Sequence, residues 1–135
     1  FIGIDVIVGT NGETEELFNE TYQLLSEIDF SQLHVFTYSE RPGTQALKIT
    51  PVIPLKERQR RNAILHELSE KRHEAFVKRY IGTEAMVLLE STVKDGLMSG
   101  FTENYIKVDV PYNERLVNTI QRVRIGETIS EIIEP

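Results

Sequence analysis

The sequence has no cysteine and no tryptophan among its 135 residues. The first absence excludes disulfides, zinc fingers, thiol nucleophiles and cysteine-ligated iron–sulfur clusters built from these residues alone. No apolar run approaches the roughly 20 residues that a membrane-crossing helix requires, and no signal peptide is recognisable. Positive charge is also scarce, with a net charge of −6. That disfavours a uniformly nucleic-acid-binding surface, because phosphate contacts need Lys and Arg. What is present is ordinary for a globular protein: 40% hydrophobic and 27% charged residues, enough for one domain or two small ones.

The charge is unevenly spread. Residues 1–54 carry two basic and eight acidic side chains, residues 55–80 eight and four, and residues 81–135 five and nine. A local basic patch is therefore compatible with the acidic total.

The chain opens inside an apolar run, Ile2 to Val8, which predicts a strand buried on both faces. A Gly-rich turn follows, Gly9-Thr10-Asn11-Gly12-Glu13. Then Leu17, Phe18, Thr21, Leu24, Leu25 and Ile28 recur at helical spacing behind a Thr14 N-cap. Leu33-His34-Val35-Phe36 predicts a second buried strand. Strand, helix and strand make a βαβ unit and imply a parallel sheet. Such a unit does not bury its own sheet, so the chain reads as a piece of a longer protein with an N-terminal part missing and a raw sheet edge.

Residues 38–54 hold three of the five prolines and read as a loop, whereas 55–80 lack Gly and Pro and read as one helix. Its apolar stripe is Ile64, Leu65, Leu68, Ala75 and Phe76, with Lys56, Arg60, Lys71 and Lys78 along one flank. Arg61, Arg72 and Arg79 fall within the stripe, which predicts polar partners on that face. Beyond Gly82 come short β-rich runs, Ala85–Glu90, Tyr105–Val110, Thr119–Ile125 and Thr128–Ile133, with a turn at Asp95-Gly96. They suggest a small antiparallel barrel.

Few residues here suit chemistry. The Gly9–Glu13 turn can present backbone amides to an anion or an adenine edge, but it lacks the spacing of known phosphate loops, and taken alone it reads better as a tight structural turn. His66, Glu70 and His73 share a helix face opposite the apolar stripe, where solvent competes with any metal. His34 reads as a hydrogen-bonded core histidine. In the β-rich part, Ile106, Val108 and Val110 alternate with Tyr105, Lys107 and Asp109, and Val123 and Ile125 with Arg122 and Arg124. If the apolar set faces inward, Tyr105, Lys107, Arg122 and Arg124 face out together, as base stacking and phosphate contact would need. A merely solvated sheet face has the same pattern, and the residues alone leave both readings open.

Three strings carry a family resemblance. Ile4-Asp5-Val6-Ile7-Val8-Gly9 with Gly12-Glu13-Thr14 resembles a D-x-I-V-G-x-x-G-E-T segment of radical S-adenosylmethionine (radical SAM) enzymes, with Asn11 where proline is usual. Leu33 to Thr44 resembles the H-V-F-x-Y-S-x-R-x-G-T segment of methylthiotransferases. Gly100 to Val108 resembles the G-x-T-x-N-Y-x-x-V signature of the family's TRAM domain, an RNA-binding β-barrel. The strings occur in family order. They are most similar to the branch that modifies threonylcarbamoyladenosine beside the tRNA anticodon.

The resemblance implies a fold class of α/β followed by all-β: the end of a radical SAM parallel barrel at 1–54, a basic connecting helix at 55–80 and a TRAM barrel at 81–135. It implies a cytoplasmic transferase whose full-length parent uses S-adenosylmethionine and 4Fe-4S clusters, with all cluster cysteines upstream and this piece inactive alone. Ile7, Gly9, Val35 and Phe36 would line the S-adenosylmethionine adenine. Asn104, Tyr105, Lys107, Arg122 and Arg124 would meet the tRNA anticodon arm. A non-catalytic RNA-binding module and a ribosomal-protein aspartate methylthiotransferase are the alternatives.

Overall fold

The computed structural model describes residues 1–133; the last two residues of the expected 81–135 barrel lie outside the described residues. The chain divides into two compact units, one Phe1–Glu74 and one from Ala75 onward.

In the first unit, the apolar run forms β1 (Gly3–Val8) and pairs in parallel with β2 (Gln32–Thr37), Ile7 opposite Phe36 and Asp5 opposite His34. Between them runs α1 (Glu15–Glu27), whose first turn Thr14 caps by accepting from the Leu17 N–H. The long helix α2 spans Leu55–Lys78 and passes the boundary between the units. Val8, Phe18, Leu25, Phe30, Leu33 and Leu65 form this unit's core, with Ile4, Val6 and Val35 packed against it. Each such side chain taken fully from water contributes about 1.5–3 kcal/mol.

Several expectations change here. The two strands are covered on one face only: Asp5, Ile7, His34 and Phe36 are exposed on the other. Continuous hydrophobicity signals two covered faces, but the described residues supply cover for one. His34 is accordingly a surface residue, not a core one. The outer edge of β2 is not raw. Ser69 on α2 accepts from the Leu33 N–H at 2.9 Å and donates to the Leu33 carbonyl at 3.2 Å, and the Asn62 amide reaches the Val35 carbonyl at 3.5 Å. Side chains of a helix thus take the place of a neighbouring strand. The β1 edge has no strand partner among the described residues. On α2, Ala75 is exposed although it fell in the apolar stripe. Two of the arginines in that stripe find polar partners: Arg61 donates to the Glu13 carbonyl at 2.6 Å, and Arg72 donates to the Ser26 carbonyl at 2.6 Å and lies over the Phe30 ring.

In the second unit, β3 (Glu84–Lys94), β4 (Leu97–Thr102), β5 (Lys107–Pro111), β6 (Ile120–Arg124) and β7 (Glu131–Ile132) form one antiparallel sheet in the order β5-β4-β3-β6-β7. An irregularity between Leu89 and Val93 interrupts the β3–β4 register, the kind of defect that bends a sheet. The sheet curls until the Ser130 N–H, just before β7, donates to the Asp109 carbonyl of β5 at 2.8 Å. This curled half-barrel is consistent with the small β-barrel expected. Val87, Leu89, Met98, Ile106, Val110 and Val123 fill its inside, joined by Phe76 from α2.

The strand β4 escaped the sequence reading because Gly100 interrupts it. A Cβ at Gly100 would sit 2.5 Å from the Leu88 carbonyl oxygen, so glycine is what lets β3 and β4 approach. The expected strand Thr128–Ile133 shrinks to two residues.

Candidate functional site

The two sets of candidate residues belong to different units. In the first unit, β1–β2 pairing sets Ile7 and Phe36 side by side on the uncovered sheet face, 55% and 54% exposed. Val35, one residue earlier, points the other way and packs against the helices. Gly9 closes β1 with φ +76, and a Cβ there would overlap the Arg58 side chain. Its N–H is already used, donating to the Glu13 carboxylate at 2.9 Å. The structure therefore brings together Ile7 and Phe36 and sets Gly9 and Val35 apart from them.

Two arginines of α2 hold the loops around that turn. Arg58, 5% exposed, donates to the carbonyls of Ile53 (2.7 Å) and Tyr38 (3.0 Å) and to Glu40 (2.5 Å), lying over the Tyr38 ring. Its guanidinium holds the Glu40 carboxyl below the usual range. Arg61, 3% exposed, donates to the Glu13 carbonyl (2.6 Å) and carboxylate (2.8 Å) and to Glu57 (2.9 Å), over the Phe18 ring. Hydrogen bonding from Arg60, then from Arg61, pulls the Glu57 carboxyl down to about 2. A planar fork of five donors suits this role, satisfying carbonyls and carboxylates that a Gly-rich turn cannot pair for itself. His34, His66, Glu70 and His73 line one open cavity beside β2, yet no group of three possible ligands among the described residues is placed to hold a metal.

In the second unit, Lys107, Arg122 and Arg124 do lie on the outer face of the curled sheet. Tyr105 arrives there by another route. It stands outside the strands, in the turn between β4 and β5, with φ +63. The Thr102 hydroxyl builds that turn, accepting from the Ile106 N–H at 2.9 Å and donating to the Asn104 side-chain oxygen at 2.6 Å. Asn104 thus shapes the turn that displays Tyr105, which is 68% exposed. Each cation already has a carboxylate: Lys107 with Asp109 at 3.8 Å, Arg122 with Glu84 at 2.6 Å, and Arg124 with Glu84 at 3.1 Å and Glu131 at 3.9 Å.

Between the cations lies a feature that the sequence reading missed. The register aligns Lys107, Phe101, Leu88 and Ile120 in one row across β5, β4, β3 and β6, with Met86 beside Arg122 in the next. Met86, Leu88, Phe101, Tyr105 and Ile120 line an open groove of about 560 Å³. The available signal was the unbroken run Ala85 to Leu89, apolar on both faces of one strand.

No family model matches the chain. Relatives of known name do. It is 41% identical over 109 residues to a threonylcarbamoyladenosine tRNA methylthiotransferase of Aquifex aeolicus, covering 79% of this chain and 25% of that protein. The chain is homologous to tRNA methylthiotransferases. A Thermotoga maritima protein of the same name is 35% identical across 96% of this chain and 29% of its own length. The tRNA-2-methylthio-N(6)-dimethylallyladenosine synthase of Bacillus subtilis is 36% identical across 96% of this chain and 28% of its own. The chain therefore spans between a quarter and three tenths of these methylthiotransferases. Among the described residues, no helix is long and apolar enough to cross a membrane.

Proposed function

We propose that this chain is the C-terminal part of a cytoplasmic tRNA methylthiotransferase, which adds a methylthio group to a modified adenosine beside the anticodon by radical SAM chemistry. The observation that carries the reading is homology over most of the chain to proteins of that name. Threonylcarbamoyladenosine is the substrate proposed, on the relative with 41% identity.

The parts divide the work as follows. Residues 1–54 end the catalytic barrel, 55–80 connect, and 81–135 form the TRAM domain that docks the anticodon arm. The neighbouring apolar side chains of Ile7 and Phe36, bare on the uncovered sheet face, fit one wall of an adenine site. Gly9 and Val35 serve that wall from behind, through the turn and the helix-facing layer. Bound S-adenosylmethionine would supply the radical chemistry together with 4Fe-4S clusters. The sequence contains no cysteine, so cluster ligands must come from elsewhere in the whole protein. The chain by itself holds one wall and binds the cofactor weakly, because a wall supplies few of a site's contacts.

The test is nucleoside mass spectrometry of tRNA from cells that lack the full-length protein. Loss of the methylthio group from threonylcarbamoyladenosine, restored by the wild-type gene, is the expected result. Loss from dimethylallyladenosine instead would reassign the substrate, and unchanged tRNA would overturn the reading.

A further inference from the structure

On the outer face of the five-stranded sheet, charge forms the rim and the middle is apolar. Met86, Leu88, Phe101 and Ile120 are 45%, 52%, 42% and 63% exposed, and a contiguous bare patch of this kind marks a surface with a partner. The rim fits an anionic partner, with Lys107 at one end of the apolar row and Arg122 and Arg124 further along β6, past the Ile120 that ends it. These cations must first release Asp109, Glu84 or Glu131 to take a phosphate. Exposed pairs exchange readily, but the exchange lowers what phosphates contribute. A rigid duplex offers chiefly its backbone and 2′-hydroxyls, with its bases stacked away, so it gains little here. An unstacked nucleotide also offers the two faces of its base. The Glu103 carboxylate at the groove wall repels phosphate there and leaves that space to the base.

The backbone of Tyr105 is an independent observation. Among the described residues, three non-glycine residues have positive φ: Asp95, Asn118 and Tyr105. The first two are types that tolerate the left-handed region; an aromatic ring does not. A strained backbone retained where it displays an exposed ring at the groove is the pattern of a functional turn.

We infer that this face takes unstacked bases of single-stranded RNA, with Phe101 and Tyr105 as the stacking residues above a floor of Leu88 and Ile120, and so distinguishes single strand from duplex. This rests on the RNA-docking reading above and adds which part of the RNA is held.

The experiment titrates the whole chain with a short oligoadenylate and with a blunt RNA duplex of equal length, by fluorescence anisotropy at several salt concentrations. The oligoadenylate binds more tightly than the duplex. Phe101→Ala and Tyr105→Gly each weaken it roughly ten-fold with the salt slope unchanged, and Tyr105→Phe binds like the parent. Tyr105→Gly melts no lower than the parent, because glycine accepts the backbone, so its loss of binding is not unfolding. Replacing Lys107, Arg122 and Arg124 together by alanine flattens the salt slope instead. If both ring variants bind like the parent while that triple variant weakens, the inference fails and RNA docking stands. If the triple variant is also silent, both fail. A chain that sediments as a dimer, separates on Leu88→Glu and ignores oligoadenylate would show that a second copy covers the face, which overturns the inference.

Discussion

The unit Phe1–Glu74 buries two arginines, whereas the unit that follows keeps its cations at the surface and fills its sheet with apolar side chains. The difference follows from what each has to hold. The first unit must fix a turn and a proline-rich loop, where the carbonyls of Glu13, Tyr38 and Ile53 take side-chain donors. Arg58 and Arg61 reach in from α2 and satisfy those groups at several points each. The second unit is a curled ladder whose backbone groups pair with one another, and its interior needs only volume. Buried charge is thus used where the backbone cannot pair itself.

The largest effect that breaks this comparison is expected from Arg61→Ala. Removing one side of a buried pair takes the donor from the Glu13 carbonyl and leaves its carboxylate with the Gly9 N–H and no cation, which costs about 3–5 kcal/mol. Urea unfolding followed by tryptophan introduced into each unit in turn should show the first unit's transition moving and the second's staying. Gly9→Ala comes next. The left-handed backbone alone costs about 1–2 kcal/mol for a residue with a Cβ, and the displaced Arg58 adds to it. The same unfolding assay reads it, and a neutral outcome would mean that the turn relaxes without Arg58.

Acid should sharpen the contrast further. The folded Glu57 carboxyl lies at about 2, below its ordinary 4.5. Its contribution is therefore fully present above about pH 4.5 and is lost as pH falls through about 2. Circular dichroism across that range should show Phe1–Glu74 weakening, and Glu57→Gln should remove that part of the acid dependence. The smallest effect belongs to Glu84→Gln in the second unit. Its pairs with Arg122 and Arg124 are exposed, so thermal denaturation should record a change below about 1 kcal/mol. A larger loss would mean that the outer face is held by its charges.

Much of this was legible in the sequence, by identifiable means. Helical periodicity behind Thr14 and the apolar runs around it specify strand–helix–strand, and Arg61 within an apolar stripe announced a polar partner. One partner, Glu57, stands four residues earlier on the same helix, but the other, Glu13, is 48 residues away and no local pattern points to it. Alternation at period two continues through Tyr105 and predicts a strand there, whereas Thr102 and Asn104 make a turn whose hydrogen bonds no periodicity signals. The bare groove was hidden for a different reason. Apolar residues on both sides of β3 look like deeper burial, and only the sheet's curl shows which side has nothing over it.

The Ser69 hydroxyl sets the direction in which the two-stranded sheet can be extended. An unpaired strand edge is a template for another chain, and a sheet with two such edges can add copies without end. Here Ser69 and Asn62 close the β2 edge, leaving β1 alone to recruit. Growth of this sheet is therefore one-sided: a further strand can join beyond β1, and Ser69 and Asn62 bar one beyond β2.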